Sequence, residues 1–372
     1  MKITSSLLPA LLCLAAVQAP AGAQANSQPE EFSDRIDVKE VLLDVLVTDR
    51  GGNVIVGLDE KDFIVEEEGV VVKVTGSTFY SNRRLVESSQ AAAALGAAPN
   101  AVPEDRYFIF FLHDQRITLP RLTAKYLDLA RRTENWIRTE LLPNDWVAVV
   151  RYDFKLKIHS DFTRDNERLV KAVNDAARGK NPPDIWPSRM EENESDGPSL
   201  LAHLATGKEL RRQTTRIYSG LEVLADAVGD IVGRKNLLFF SAGFGDNTGL
   251  GTILPDVRYY DNTMQALNDS NVAVYSISVL TGIDFAGLGI SNTNSLHDSM
   301  NMLSNDTGGR YFFNHVSFSS PLETVLAENN GYYLLSYRSE TPAGASGYRK
   351  VSVKAKNPEF KVRAREGYRF GA

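Results

Sequence analysis

Apolar positions recur along this chain with two different periods, and the change from one to the other divides it. Val41, Leu43, Val45 and Val47 alternate onto one face, the turn Arg50-Gly51-Gly52-Asn53 interrupts, and Phe63-Ile64-Val65 and Val70-Val71-Val72-Val74 follow across the acidic turn Glu66-Glu67-Glu68-Gly69. Period-two patterning bounded by turn residues predicts strands. Residues 34–82 therefore read as a small antiparallel β module. Residues 83–105, rich in Ala and Pro and without a period, read as a linker.

From Arg106 to about Gly331 the pattern alternates between strand and helix. Tyr107 to Leu112 is a continuous apolar run of strand length, as expected where helices cover both faces of a sheet. Leu122, Tyr126, Leu129, Thr133, Trp136 and Ile137 then repeat at three and four, a helical stripe. Strands are predicted at Trp146–Val150, Leu156–Phe162, Leu237–Phe240, Val272–Ile277 and Arg310–Phe313. Helices are predicted at Asn166–Ala177 and from Ile217 through Ile231, ending at Gly233. Such alternation predicts an α/β domain over 106–331 built on a doubly wound, mostly parallel, Rossmann-type sheet. Residues 181–213, with Pro182, Pro183, Pro187 and the acidic run 191–196, form an insertion that breaks the rhythm.

Residues 332–372 return to β. Val351, Val353 and Ala355 alternate with Lys350, Ser352, Lys354 and Lys356, and Phe360, Val362 and Ala364 with Lys361, Arg363 and Arg365. Two strands joined at Asn357-Pro358 read as an antiparallel pair. Isolated hairpins are marginal, so this pair needs a sheet to join, and the N-terminal module is the expected one. The basic row on the opposite face reads as a solvated surface, as a docking face for an acidic partner, or as a partner for Glu66–Glu68.

The first residues bear on compartment. Lys2, an apolar stretch from Leu7 to Val17 and the small-residue run Ala19-Pro20-Ala21-Gly22-Ala23-Gln24-Ala25 describe a secretory signal over 1–25. The expected mature start is Gln24 or Asn26, and the expected location is extracytoplasmic, periplasmic or secreted. The sole cysteine, Cys13, leaves with the signal. Leu12 before it does not suit lipoprotein processing, so the mature chain is expected to carry no thiol chemistry. No later stretch reaches the roughly 20 apolar residues of a membrane span. A net charge of −6 argues against nucleic acid as a partner.

The stretches Val45-Leu46-Val47-Thr48-Asp49-Arg50-Gly51-Gly52 with Gly57-Leu58 and Lys61-Asp62-Phe63, then Gly233-Arg234-Lys235-Asn236-Leu237, Thr307-Gly308-Gly309-Arg310-Tyr311 and Ala364-Arg365-Glu366-Gly367-Tyr368 stand out. Together they resemble a von Willebrand factor A-related family of secreted proteins abundant in acidobacteria. The resemblance implies an A-type domain whose function concentrates at a metal-ion-dependent adhesion site on the C-terminal edge of the sheet. That pattern is Asp-x-Ser-x-Ser after the first strand, a Thr before the third helix and an Asp after the next strand, holding Mg²⁺ in octahedral oxygen coordination.

This chain departs from the pattern. Asp114 matches the first aspartate, Arg116 takes the first serine position and Thr118 the second. Thr215 fits the threonine, and Ala242 stands where the last aspartate belongs. The expected metal set is thus a degenerate Asp114, Thr118 and Thr215, with Arg116 placed to pair with Asp114 instead. Arg116, Ser241 and Asp246 are the candidate residues of a binding edge.

Catalytic motifs are absent: there is no G-x-S-x-G elbow, H-E-x-x-H helix or P-loop. Gly243-Phe244-Gly245-Asp246-Asn247-Thr248-Gly249 only nearly mimics a dinucleotide loop and reads as a βα loop. His113, His159, His203, His297 and His315 show no paired ligand spacing. The expected function is a non-catalytic, exported module that binds a protein of the cell envelope or beyond it, without a cofactor. The alternatives are a Mg²⁺-dependent adhesin and an exported enzyme with an unrecognised site.

Overall fold

A computed structural model describes residues 36–81, 105–117, 119–120, 122–182, 197–205, 207–247, 253–281, 284, 298–342 and 345–371. The signal segment, nearly all of the linker, Thr118, residues 183–196 of the insertion and His297 lie outside the described residues.

The strands run, in chain order, β1 (Ile36–Thr48), β2 (Phe63–Glu67), β3 (Val70–Val72), β4 (Val74–Ser81), β5 (Arg106–His113), β6 (Asp145–Tyr152), β7 (Leu156–Thr163) and β8 (Lys235–Ser241). After these come the short pair β9 (Asp246–Asn247) and β10 (Ile253–Leu254), then β11 (Val272–Ser278), β12 (Arg310–Phe312), β13 (Gly331–Pro342), β14 (Gly347–Ala355), β15 (Lys361–Arg363) and β16 (Gly367–Phe370).

Six of them form one sheet in the order β12-β11-β8-β5-β6-β7. Counted along the domain this is the doubly wound order 3-2-1-4-5-6. All neighbours are parallel except β7, which pairs antiparallel with β6. The turn Asp153-Phe154-Lys155 is too short for the crossover that a parallel neighbour requires, so β7 can only return.

The apolar run of β5 is continuous because its two faces feed two cores. Phe108, Phe110 and Leu112 pack with the helices Leu122–Thr139, Asn166–Ala177 and Ser319–Glu328. Ile109 and Phe111 pack with Ile217–Ala227, Val257–Asp269 and Asp298–Asp306. Each fully buried large side chain contributes about 1.5–3 kcal/mol relative to exposure. The helix starting at Ile217 stops at Ala227, short of Gly233. Beyond it, bonds of three-residue spacing at Val228 and Ile231 tighten the chain around Gly229, a poor helix former.

The remaining strands build a sandwich of two four-stranded sheets, β15-β1-β13-β4 and β16-β14-β2-β3. Each sheet mixes strands from both ends of the chain. β1 pairs antiparallel with β13 from Ile36↔Pro342 to Val45↔Tyr333, and β2 pairs with β14. Val41, Leu43, Val45 and Val47 meet Phe63, Val65, Tyr333, Leu335, Tyr337 and Val351 between the sheets. The chain leaves this sandwich after Ser81 and re-enters at Gly331, and these two residues pair across β4 and β13. Gly331 fits closely there, since a Cβ would stand 2.5 Å from the Phe79 ring and 3.0 Å from Tyr80 O.

The expected pairing of the two tail strands does not form. β14 joins β2 and β16, whereas β15 crosses to β1 in the other sheet. A tight hairpin favours residues of positive φ in its turn, and Asn357-Pro358 supplies a φ locked near −65°. The turn closes instead through Phe360 N–H to Asn357 O (3.2 Å), which sends the chain across the sandwich. Nor is the basic row uniformly solvated. Lys354 meets Glu66 at 3.3 Å, Arg363 meets Glu328 at 2.7 Å, and Arg365 gives its guanidinium to backbone carbonyls.

Candidate functional site

The crevice of a doubly wound sheet opens at the C-terminal strand ends where successive crossovers diverge to opposite faces. Here that point lies between β5 and β8, because the helix after β5 covers one face and the helix Val257–Asp269 the other. The loops that frame it carry Asp114 to Pro120 on one side and Ala242 to Asn247 on the other.

Asp114 is buried beneath this edge. One carboxylate oxygen accepts from Arg116 N (3.1 Å) and Arg116 Nε (2.8 Å). The other accepts from Arg116 Nη2 and from Arg151 Nε (2.8 Å). Burial alone would raise its pKa. The Arg116 hydrogen bonds and the Arg151 charge outweigh burial and hold the carboxyl below its ordinary value.

Arg116 is itself fixed. Its Nη1 donates to Ala177 O (2.6 Å), at the C-terminal end of helix Asn166–Ala177, and its guanidinium lies 5.2 Å from the Tyr126 ring. A cation at a helix C-terminus complements the exposed carbonyls and the helix dipole. Gly179, at φ 75°, makes the space, for a Cβ there would sit 2.7 Å from Arg116 Nη2. Arg151 continues the chain of charges to Asp153, and Lys157 meets Asp153 at 2.7 Å. Three cations and two carboxylates thus form one network. Removing one partner from such a buried set costs about 3–5 kcal/mol.

Ser241 ends β8 fully buried, with His113 Nδ1 2.8 Å from its Oγ. Gly243 N donates to the same Oγ at 3.0 Å, and Gln115 bridges the loops through Ala242 N–H to Oε1 and Nε2–H to Gly243 O, both 2.8 Å. Burial pushes His113 down to about 4, with Asp114 opposing. His159 is also pushed down to about 4 by burial and the nearby Arg151.

The other sequence candidates are less central. Thr215 is solvent-exposed, and the buried hydroxyl is that of its neighbour Thr214, which bonds Leu210 O and Leu156 N. Asp246 begins the two-residue strand β9, which pairs with β10 apart from the six-stranded sheet. Arg151, Asp153, Lys157 and Gln115 were not singled out from the sequence. Arg151 and Asp153 flank the end of an otherwise apolar strand, and charge at that position was the available signal.

These donors do not suit a divalent cation. Both Asp114 oxygens are engaged by guanidinium groups, Ala242 offers no side-chain donor, and Arg116 brings a fixed positive charge.

The same edge exposes apolar side chains. Ile117 is 73% exposed, Phe154 is 56% exposed at a φ of 68°, and Val316, in the loop after β12, is fully exposed. A bulky residue held at positive φ is strained. Among the described residues no helix is long and apolar enough to cross a membrane.

No protein-family profile matches the chain, and no curated protein matches it. Solved structures do. A von Willebrand factor type A protein from Catenulispora acidiphila is 8% identical over 91% of this chain and 74% of that one, with a TM-score of 0.36. The N-terminal domains of the type V pili tip protein Mfa5 from Porphyromonas gingivalis are 9% identical over 83% and 68%, with a TM-score of 0.38. Proximal thread matrix protein 1 from the mussel byssus is 13% identical over 60% and 46%, with a TM-score of 0.35. The chain spans less than half the length of the mussel protein.

Proposed function

We propose that this protein is an exported, non-catalytic interaction module that binds a protein partner through the C-terminal edge of its six-stranded sheet without a metal ion. The occupancy of both Asp114 oxygens by Arg116 and Arg151 carries the metal-independent part. A divalent ion would have to displace guanidinium groups that never lose their charge. Exposed Ile117 and Phe154 beside that network supply the apolar contact on which a partner would anchor. The Ser241–His113 contact is a brace between β8 and β5, since Ser241 is sealed from any substrate. Export rests on the Lys2, Leu7–Val17 and A-x-A pattern.

Crosslinked capture of partners from envelope material tests the proposal. The same partner should be recovered with and without chelator, and lost from the Ile117→Asp, Phe154→Asp double variant. Recovery that required a divalent ion, or that survived the double variant, would contradict it.

A further inference from the structure

Two of the sequence stretches noted above, around Arg234-Lys235-Asn236 and Arg365, take no part in this edge. They meet at the opposite end of the sheet, in a cavity of about 580 Å³ between its N-terminal edge and the sandwich. Four cations line it: Arg106, Arg234, Lys235 and Arg365. Arg106 is neutralised by Asp145 through two 2.6 Å bonds, which leave its buried Nη1 without a partner.

The other three hydrogen-bond to neutral groups, while the charge of Asp44 acts on Lys235 and Arg365 and that of Asp269 on Arg365. Arg234 Nη2 donates to Gly308 O (2.6 Å), and its buried Nε has no partner. Lys235, only 1% exposed, gives Nζ to Ile231 O (2.7 Å). Arg365 donates to Asn268 O and Leu42 O, and its Nε also lacks a partner. Of the acids on the wall, Asp105 pairs with Arg164 (2.5 Å) and Asp269 with Arg369 (3.0 Å), whereas Asp44 takes its hydrogen bond from the neutral Asn271 amide and offsets part of the positive charge. Among the described residues no carboxylate forms an ion pair with Arg234, Lys235 or Arg365. Burial together with the Arg365 charge draws the Lys235 ammonium down to about 8, with Asp44 opposing.

Cations outnumber the acids left to balance them, which is costly for buried groups, and aliphatic side chains such as Leu42, Ile231 and Leu334 line the same cavity. Its volume suits a small organic molecule. We propose that the cavity is a binding site for a small molecule carrying an oxyanion, a phosphate or carboxylate, whose charged group is held by Lys235 and Arg365 beside the Arg234 guanidinium. This site is independent of the partner-binding edge.

The test uses the mature full chain with inorganic phosphate as the probe, at ionic strength held constant with sodium chloride. Phosphate should raise the melting temperature saturably. The rise should be lost in Lys235→Met and kept in Lys171→Met, an exposed lysine on the helix Asn166–Ala177. In parallel, phosphate should slow acylation of Lys235 by acetic anhydride, read by peptide mass spectrometry, and leave exposed Lys39 unaffected. That labelling arm uses unaltered protein, so the test stands even if Lys235→Met does not fold. No saturable shift, a shift unchanged in Lys235→Met or lost in Lys171→Met, or unprotected Lys235 would overturn the proposal.

Discussion

Glu67 on β2 accepts a 2.7 Å hydrogen bond from the hydroxyl of Tyr337 on β13, 270 residues further along the chain. The same carboxylate accepts from Tyr368 (2.8 Å), Ser339 (2.8 Å) and Arg349 (2.6 Å). One N-terminal side chain therefore gathers donors from three C-terminal strands. Burial works against its charge, but the Tyr337, Ser339 and Tyr368 bonds with the Arg349 charge hold its pKa below the ordinary value. Glu67→Gln should lower unfolding stability by about 2–3 kcal/mol, since bonds to a charged acceptor are the strong ones. Urea denaturation measures it. An unchanged midpoint would mean that the cluster contributes little.

Removing everything after Gly331 should unfold the N-terminal strands as well. β1 would lose β13 along ten paired positions and β15 at its other end, and β2 would lose β14. Limited proteolysis of the truncated chain is expected to digest residues 36–81. Survival of that segment would show it to be independently stable.

Much of this architecture is legible in the sequence because burial dictates residue type. The run Tyr107–Leu112 and the stripe from Leu122 to Ile137 are readable since each position faces a core. The partners of β14 and β15 were not readable, because alternation marks a strand's faces and not its neighbours. At the edge, Asp114 and Arg116 were legible as a pair two residues apart. Arg151 was not, for its contact with Asp114 depends on the register of β5 against β6. The stretch Thr307-Gly308-Gly309 has a packing cause that only coordinates reveal: a Cβ on Gly309 would lie 2.0 Å from Val274 O, and Gly308 abuts the Ala364 backbone.

Acid should destabilise the protein through two largely buried histidines. His113 and His159 are held near 4 in the fold, against an ordinary 6.5. The unfolded chain therefore binds protons first as pH falls. Stability is complete above about 6.5 and is lost progressively toward 4, by roughly 3 kcal/mol for each histidine. Denaturation midpoints at a series of pH values should fall through this window. A flat profile between 6.5 and 4.5 would show that the two rings are protonated at no cost.

Gly179→Ala should displace Arg116. The new methyl would meet the guanidinium and also strain a residue at positive φ. A loss of about 1–3 kcal/mol is expected. If Arg116 is the pivot, Arg116→Met should reduce the further penalty of Gly179→Ala in a double-mutant cycle. Additive penalties would place the strain in the backbone alone.

The proposed binding mode requires that Asp114 be held by arginine rather than by a metal ion. Calorimetric titration of Mg²⁺ into the mature protein tests it most directly, beside the double variant Arg116→Ser with Ala242→Asp, which restores the ligand types of the adhesion site. The unaltered chain is expected to release no binding heat in the micromolar range, whereas the double variant should bind measurably. Tight Mg²⁺ binding by the unaltered protein would contradict the account.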